Sequence, residues 1–217
     1  MAQGFTLNAY LGGLVQLHAN NYTLNQGSKG RAYACAEDFV LDQGTLFEPE
    51  GLTACEEDLL LKAIDLCRVG RFVQKQCFYN SQMVVLGDPS GQLGYVEGFA
   101  VGRTIPVHHG WITINGKVVD LTWRTPKPNH VGRLKDRIFG QFPEHWEYLG
   151  VPICRDFILS RLRATHSVGT LIMNWEQDYP LFKWERRKPF NYKKFELPKE
   201  EDLVQLTTRT EKGEDAR

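Results

Sequence analysis

The 217-residue chain is 42% apolar and 24% charged, ordinary proportions for a globular protein long enough to bury a sizeable core. Its 26 basic and 26 acidic residues cancel, so net charge gives no reason to expect nucleic acid or a membrane surface as partner. No run is apolar enough for a membrane span and the first residues lack the regions of a secretory signal; the five cysteines, odd in number and without C-x-x-C spacing, predict reduced thiols in a cytoplasmic protein.

Residues 1–34 are rich in Asn, Gly and Gln and predict no firm element, although Tyr10 to Val15 could open a strand or a short helix. Ala34 to Leu41 suits helix and strand equally, and Thr45 to Gly51 reads as a loop from its Pro and Gly. A helix is predicted from about Ala54 to Val69. Thr53 and Glu56 form a capping box at its start, Leu59, Leu60, Ala63, Ile64 and Cys67 make an apolar stripe, and Gly70 ends it. Cys55 and Cys67 read as small core residues of that helix. A second helix runs from about Cys77 to Leu86 and stops at the turn cluster Gly87 to Gly91. Tyr95 to Val101 reads as a strand with Tyr95, Glu97 and Phe99 on one face.

The sharpest local signal follows. Asn115-Gly116 separates two β-rich runs, Trp111 to Ile114 and Lys117 to Asp120, and predicts a two-residue hairpin turn. That turn sets Ile114 opposite Lys117, Thr113 opposite Val118, Ile112 opposite Val119 and Trp111 opposite Asp120. Alternation then puts His109, Trp111 and Thr113 on the Asp120 and Val118 side, with His108 on the other side beside Ile112 and Ile114. Asp120 is diagonal to His109, roughly 7–8 Å away between backbones, within reach of an imidazole–carboxylate pair. Pro126 and Pro128 interrupt the chain, Tyr148 to Pro152 is a short extended piece, Arg155 to Arg163 is helical, and Val168 to Met173 suits a last strand. Residues 1–195 are expected to form one α+β domain with its core at about 53–175, followed by a charged, disordered tail over 196–217.

A histidine oriented by an acid is two members of a nucleophilic triad. A thiolate is favoured at a helix N-terminus, where the backbone dipole is positive, and Cys77 stands where the second helix opens, after Lys75. Cys77 is therefore the candidate nucleophile. In order, Cys77-x-x-Asn80, Tyr95-Val-Glu-Gly-Phe-Ala100, His109-Gly-Trp111 and Val118-Val-Asp120-x-Thr-Trp123 resemble the blocks C-x-x-N-A, Y-V-E-G-Y-A, H-A-W and V-I-D-P-T-W of phage and bacterial proteins. Those proteins look like members of the papain-like class, with its NlpC-type and transglutaminase-like branches. The resemblance spans about Gln76 to Trp123, with a possible echo at Tyr148 to Ile153, and departs from the pattern at Ser81, Gly110 and Leu121 without losing a reactive group.

The resemblance implies a papain-like core, with the nucleophile helix packed on an antiparallel sheet. Cys77 would be nucleophile, His109 general acid and base, and Asp120 the orienter. Gln76, Asn80, Glu97 and Trp111 would supply an oxyanion donor or line the site, with the Cys77 N–H as the default donor and Gln74 an alternative to Gln76. Glu97 has a second reading, as a carboxylate that bonds a buried backbone group. The implied activity is thiol-dependent hydrolysis or acyl transfer on an amide-like bond of a protein, peptide or small molecule, with no cofactor. Adjacent His108 and His109 point oppositely and have no second ligand pair, so no metal is expected. Two other readings stand beside this one. The first is a catalytically idle phage or bacterial binding or inhibitor protein with the same fold. The second is nucleic-acid binding through the basic and aromatic run 182–195, which is more often a solvated flank.

Overall fold

The computed structural model describes residues 6–24, 30–67, 75–101, 105–122 and 146–187. Gly70, Gln74, Gly102-Arg103, Trp123, Pro126, Pro128 and the tail 196–217 lie outside them. The elements in chain order are α1 (Leu7–Leu24), α2 (Ala36–Gln43), β1 (Thr45–Phe47), α3 (Ala54–Leu66), α4 (Cys77–Gly87), β2 (Gly94–Val101), β3 (Val107–Ile114), β4 (Lys117–Val119), β5 (Glu147–Ile153) and α5 (Arg155–Thr165). Two short 3-10 turns follow, Trp175–Gln177 and Pro180–Lys183. The class is α+β, and among the described residues no helix is long and apolar enough to cross a membrane.

The hairpin sets the frame. Asn115 and Gly116 take φ values of 52° and 83°, the left-handed pair that a type I′ turn requires. Ile112 faces Val119, Thr113 faces Val118 and Ile114 faces Lys117, the register that the two-residue turn predicts. Glu56 of α3 fastens this turn, accepting from Asn115 Nδ2 at 2.8 Å and Lys117 Nζ at 3.0 Å. Glu56 also closes the predicted capping box with Thr53.

The strands order as β1-β5-β2-β3-β4, all neighbours antiparallel. The sheet curls until its edges meet, where Val118 N–H donates to Glu48 O at 3.0 Å. Alternation divides its side chains between two cores. Tyr95, Phe99, Ile112 and Ile114 join Leu11, Val40, Leu60 and Val84 of the helices in the main core. Phe47, Val96, Ala100, Trp111, Val118 and Tyr148, drawn from all five strands, pack together on the other face. Gly98 and Gly150 face each other between β2 and β5. A Cβ on Gly98 would fall within van der Waals radii of Leu149 O and Gly150 Cα, and one on Gly150 would strike the Trp111 ring.

Several elements depart from expectation. Leu7, Leu11 and Val15 are buried one turn apart on α1, a stripe that intervening Gly and Asn obscure. Thr45 to Phe47 is an edge strand rather than a loop, because β5 offers it a partner that no local pattern reveals. Residues 168–173 form no strand, since the Leu171 and Ile172 amides donate to the Glu97 carboxylate instead of a ladder. Cys55 is exposed and Cys67 only partly buried, because α3 turns Glu56, Leu60, Ala63 and Ile64 inward. None of the five cysteines is in a disulfide.

Candidate active site

The site forms where the hairpin runs out of ladder. β4 pairs with β3 only at Ile112 to Ile114, so the earlier half of β3 has no β4 neighbour. The start of α4 is tied into that gap by its own side chains. Ser81 Oγ donates to Gly110 O at 3.1 Å, and Asn80 Nδ2 donates to Thr122 Oγ1 at 3.1 Å. The absence of a side chain at Gly110 lets Phe78 and the Tyr95 hydroxyl approach β3, since a Cβ there would lie 2.9 Å from each. Thus α4 is held at once to β3 and to the segment after β4, which carry the histidine and the acid.

Cys77 is the first residue of α4, so its N–H has no acceptor within the helix. The chain enters through Lys75, whose φ of 64° is a left-handed backbone that costs a non-glycine residue roughly 1 kcal/mol or more. Such strain is commonly stored beside reactive groups. Cys77 and His109 are both nearly closed off, 7% and 2% exposed. The Cys77 thiol neighbours the His109 ring closely enough to raise the ring's affinity for its proton. On the other side of the ring, Nε2 lies 2.7 Å from Asp120 Oδ2. Because Asp120 occupies Nε2, Nδ1 is the nitrogen left to serve the thiol.

Burial disfavours the charged ring, but the charge of Asp120 and its hydrogen bond outweigh that penalty, and Cys77 adds to them. The result holds His109 as imidazolium up to about pH 10. Asp120 is itself well satisfied. Tyr148 Oη donates to Oδ2 at 3.0 Å, and the Thr122 N–H donates to Oδ1 at 2.8 Å. Burial first, then the Asp120 charge and hydrogen bond, push the Tyr148 phenol above its ordinary range, so it stays protonated and donating. Trp111 lies on the same face, its ring 6.4 Å from His109 at an interplanar angle of 21°, with its indole N–H unpaired.

The remaining candidates take other positions. Gln76 is exposed at the mouth of α4, and its side chain makes no capping bond. Asn80 anchors Thr122 as described. Glu97 lies on the opposite face, fully buried, and accepts from Tyr95 Oη at 2.8 Å, Leu171 N at 2.8 Å, Ile172 N at 3.0 Å and the Thr170 hydroxyl. His108 Nε2 stands 3.1 Å from Glu97 Oε1, without hydrogen-bond alignment. Burial alone would raise the Glu97 carboxyl, yet His108, Thr170 and the loop amides together hold it below its ordinary value. Gln82 Nε2 reinforces the same loop by donating to Gly169 O at 2.7 Å. The Glu97 group, with Gln82 of α4, therefore holds the loop at 169–172 against the sheet.

Local sequence does not single out Tyr148, because it gives β5 no place in the sheet. The alternation of buried Tyr148 with Gly150 is the signal that could have found it. In the 182–195 run, Phe182 is buried in the main core and Trp184 packs edge-on to Phe39 at 5.8 Å, while residues 188–195 lie outside the described residues. Among the described residues, no three His, Cys, Asp or Glu side chains converge as metal ligands. No protein-family model, curated protein or solved structure matches the chain. The arrangement is a thiol at a helix N-terminus, next to an imidazolium that is hydrogen-bonded to a carboxylate.

Proposed function

We propose that the chain is a thiol-dependent hydrolase or acyltransferase with a papain-like core, acting on an amide-like bond of a protein, peptide or small amide. The carrying observation is that Cys77, the first residue of α4, neighbours a His109 ring whose Nε2 lies 2.7 Å from Asp120 Oδ2. In the first half-reaction the Cys77 sulfur bonds to the substrate carbonyl carbon. The C–N bond breaks as His109 delivers its proton to the departing amine, leaving a thioester. In the second, water or another amine attacks the thioester, His109 accepts the nucleophile's proton, and the S–C bond breaks. Asp120 stays ionised throughout and stabilises the imidazolium. The Cys77 N–H is the oxyanion donor that this geometry favours.

A second reading, a binding or inhibitor protein that keeps the fold without catalysis, draws on the burial of Cys77 and His109. Iodoacetamide at about pH 6 separates the two. Cys55 and Cys154 are exposed and serve as reference thiols in the same molecule. If the site is active, Cys77 reacts faster than either despite its burial, and His109→Ala removes that advantage. Slower labelling of Cys77 than of Cys55 and Cys154 would leave the idle binder as the better reading.

A further inference from the structure

We infer that Tyr148 is a positioning residue of this site, its hydroxyl locking the Asp120 carboxylate so that the shared proton stays on His109. The inference rests on the proposed roles of His109 and Asp120. Two buried groups whose heteroatoms lie 2.7 Å apart can in principle share their proton either way, as imidazolium–carboxylate or as imidazole–carboxylic acid. Only the first arrangement gives Cys77 a cationic partner. Three donors decide between them. Tyr148 Oη and the His109 ring both donate to Oδ2, and the Thr122 amide donates to Oδ1, so the carboxylate cannot rotate without losing a bond, and each donor lowers its affinity for the shared proton. Tyr148 is fully buried on β5, and T-shaped packing against Trp111 with centroids 5.2 Å apart holds its ring. Cys77 from α4 and Tyr148 from β5 are the titratable groups that face the pair among the described residues.

Removing a donor from an anion always raises the proton affinity of the group that carries it. Tyr148→Phe should therefore shift the pH at which the His109–Asp120 pair loses its proton upward, by about one pH unit. It should also slow Cys77 alkylation several-fold at about pH 6, because a carboxylate that has lost one donor no longer fixes the ring against the thiol. A merely structural phenol would change neither once the protein is folded.

The measurement is the His109 ring titration by 15N NMR, with the Cys77 alkylation rate followed in parallel. It compares native protein, Tyr148→Phe and protein carrying 3,5-difluorotyrosine at position 148. The fluorinated phenol is nearly the same size and a stronger donor, so it keeps the question answerable if the Phe variant does not fold. It should move the midpoint down where Phe moves it up. Opposite shifts establish the positioning role, and so does the downward shift alone if the Phe variant is unfolded. An unchanged midpoint in difluorotyrosine protein overturns it, whatever the Phe variant does. The proposed function fails separately, if His109→Ala leaves Cys77 as reactive as in the native protein.

Discussion

His108 and His109 are adjacent in the chain and opposite in their surroundings. His109 faces Asp120, whereas His108 sits between the Phe78 and Phe99 rings, with centroids 5.1 and 5.5 Å away, and against Glu97. His108→Ala should therefore lower stability by roughly 2 kcal/mol, since it leaves a buried carboxylate short of a partner, while fast labelling of Cys77 persists. His109→Ala should abolish that labelling. Urea unfolding and a labelling time course on both variants check this, and a reversed pattern would mean that the roles of the two rings are exchanged. Glu97 makes the second residue-scale case. A fully buried carboxylate that ties three successive residues, Thr170 to Ile172, cannot lose its charge cheaply, so Glu97→Gln should cost about 3 kcal/mol. Its folded carboxyl lies below the unfolded value. The stability it contributes is therefore present above the ordinary carboxylate range and is lost as pH falls through the folded value. The native protein should accordingly weaken more steeply than Glu97→Gln between neutral pH and the acid range, and parallel acid-denaturation curves would refute this account.

The hairpin and α3 are legible in the sequence because short-range chemistry decides them. Asn115-Gly116 admits one tight turn and hence one register, and Thr53 with Glu56 closes a capping box whatever surrounds it. The cap should respond as its local chemistry requires, with Thr53→Ala costing about 1 kcal/mol by thermal unfolding and leaving Cys77 labelling unaltered. The elements that the sequence hides depend on distant partners. β1 is a strand because β5 lies beside it, and 168–173 is not one because Glu97, more than seventy residues earlier, takes its amides. The His109–Asp120 diagonal follows from the hairpin alone. Tyr148 does not, because nothing local places β5 beside β2 with Gly98 against Gly150. That close approach is itself testable. Gly98→Ala drives a Cβ into the Leu149 and Gly150 backbone, which must move the β2–β5 ladder and, with it, Tyr148. It should destabilise by well over the roughly 1 kcal/mol of an ordinary core adjustment and also slow Cys77 alkylation, whereas Gly116→Ala, which meets nothing, should cost only its left-handed backbone, about 1–2 kcal/mol.

Across the whole molecule, the buried titratable groups set how stability changes toward alkaline pH. His109 titrates at about 10 in the folded chain against 6.5 for a free imidazole, so the native state holds one proton more than the unfolded state between those values. The sign follows from linkage. The contribution is complete below about pH 6.5 and is lost as pH rises through about 10, at up to roughly 1.4 kcal/mol per pH unit. Above that window Tyr33, Tyr95 and Tyr148 act in the same direction. Burial leads the causes that raise each phenol, Tyr33 to about 12, so unfolding releases protons that the folded protein keeps. The cleanest measurement uses Cys77→Ser, in which no thiol titrates at the site while Asp120, the main group holding the ring protonated, is untouched. Urea midpoints of that variant taken between pH 7 and 9.5 should fall steadily. In the same background, Asp120→Asn removes both the charge and the accepting oxygen that keep the proton on the ring, and the fall over this window should flatten. A Cys77→Ser protein whose stability is level from pH 7 to 9.5 would show that His109 is neutral there, and an imidazolium–carboxylate pair could then not be the device that activates Cys77.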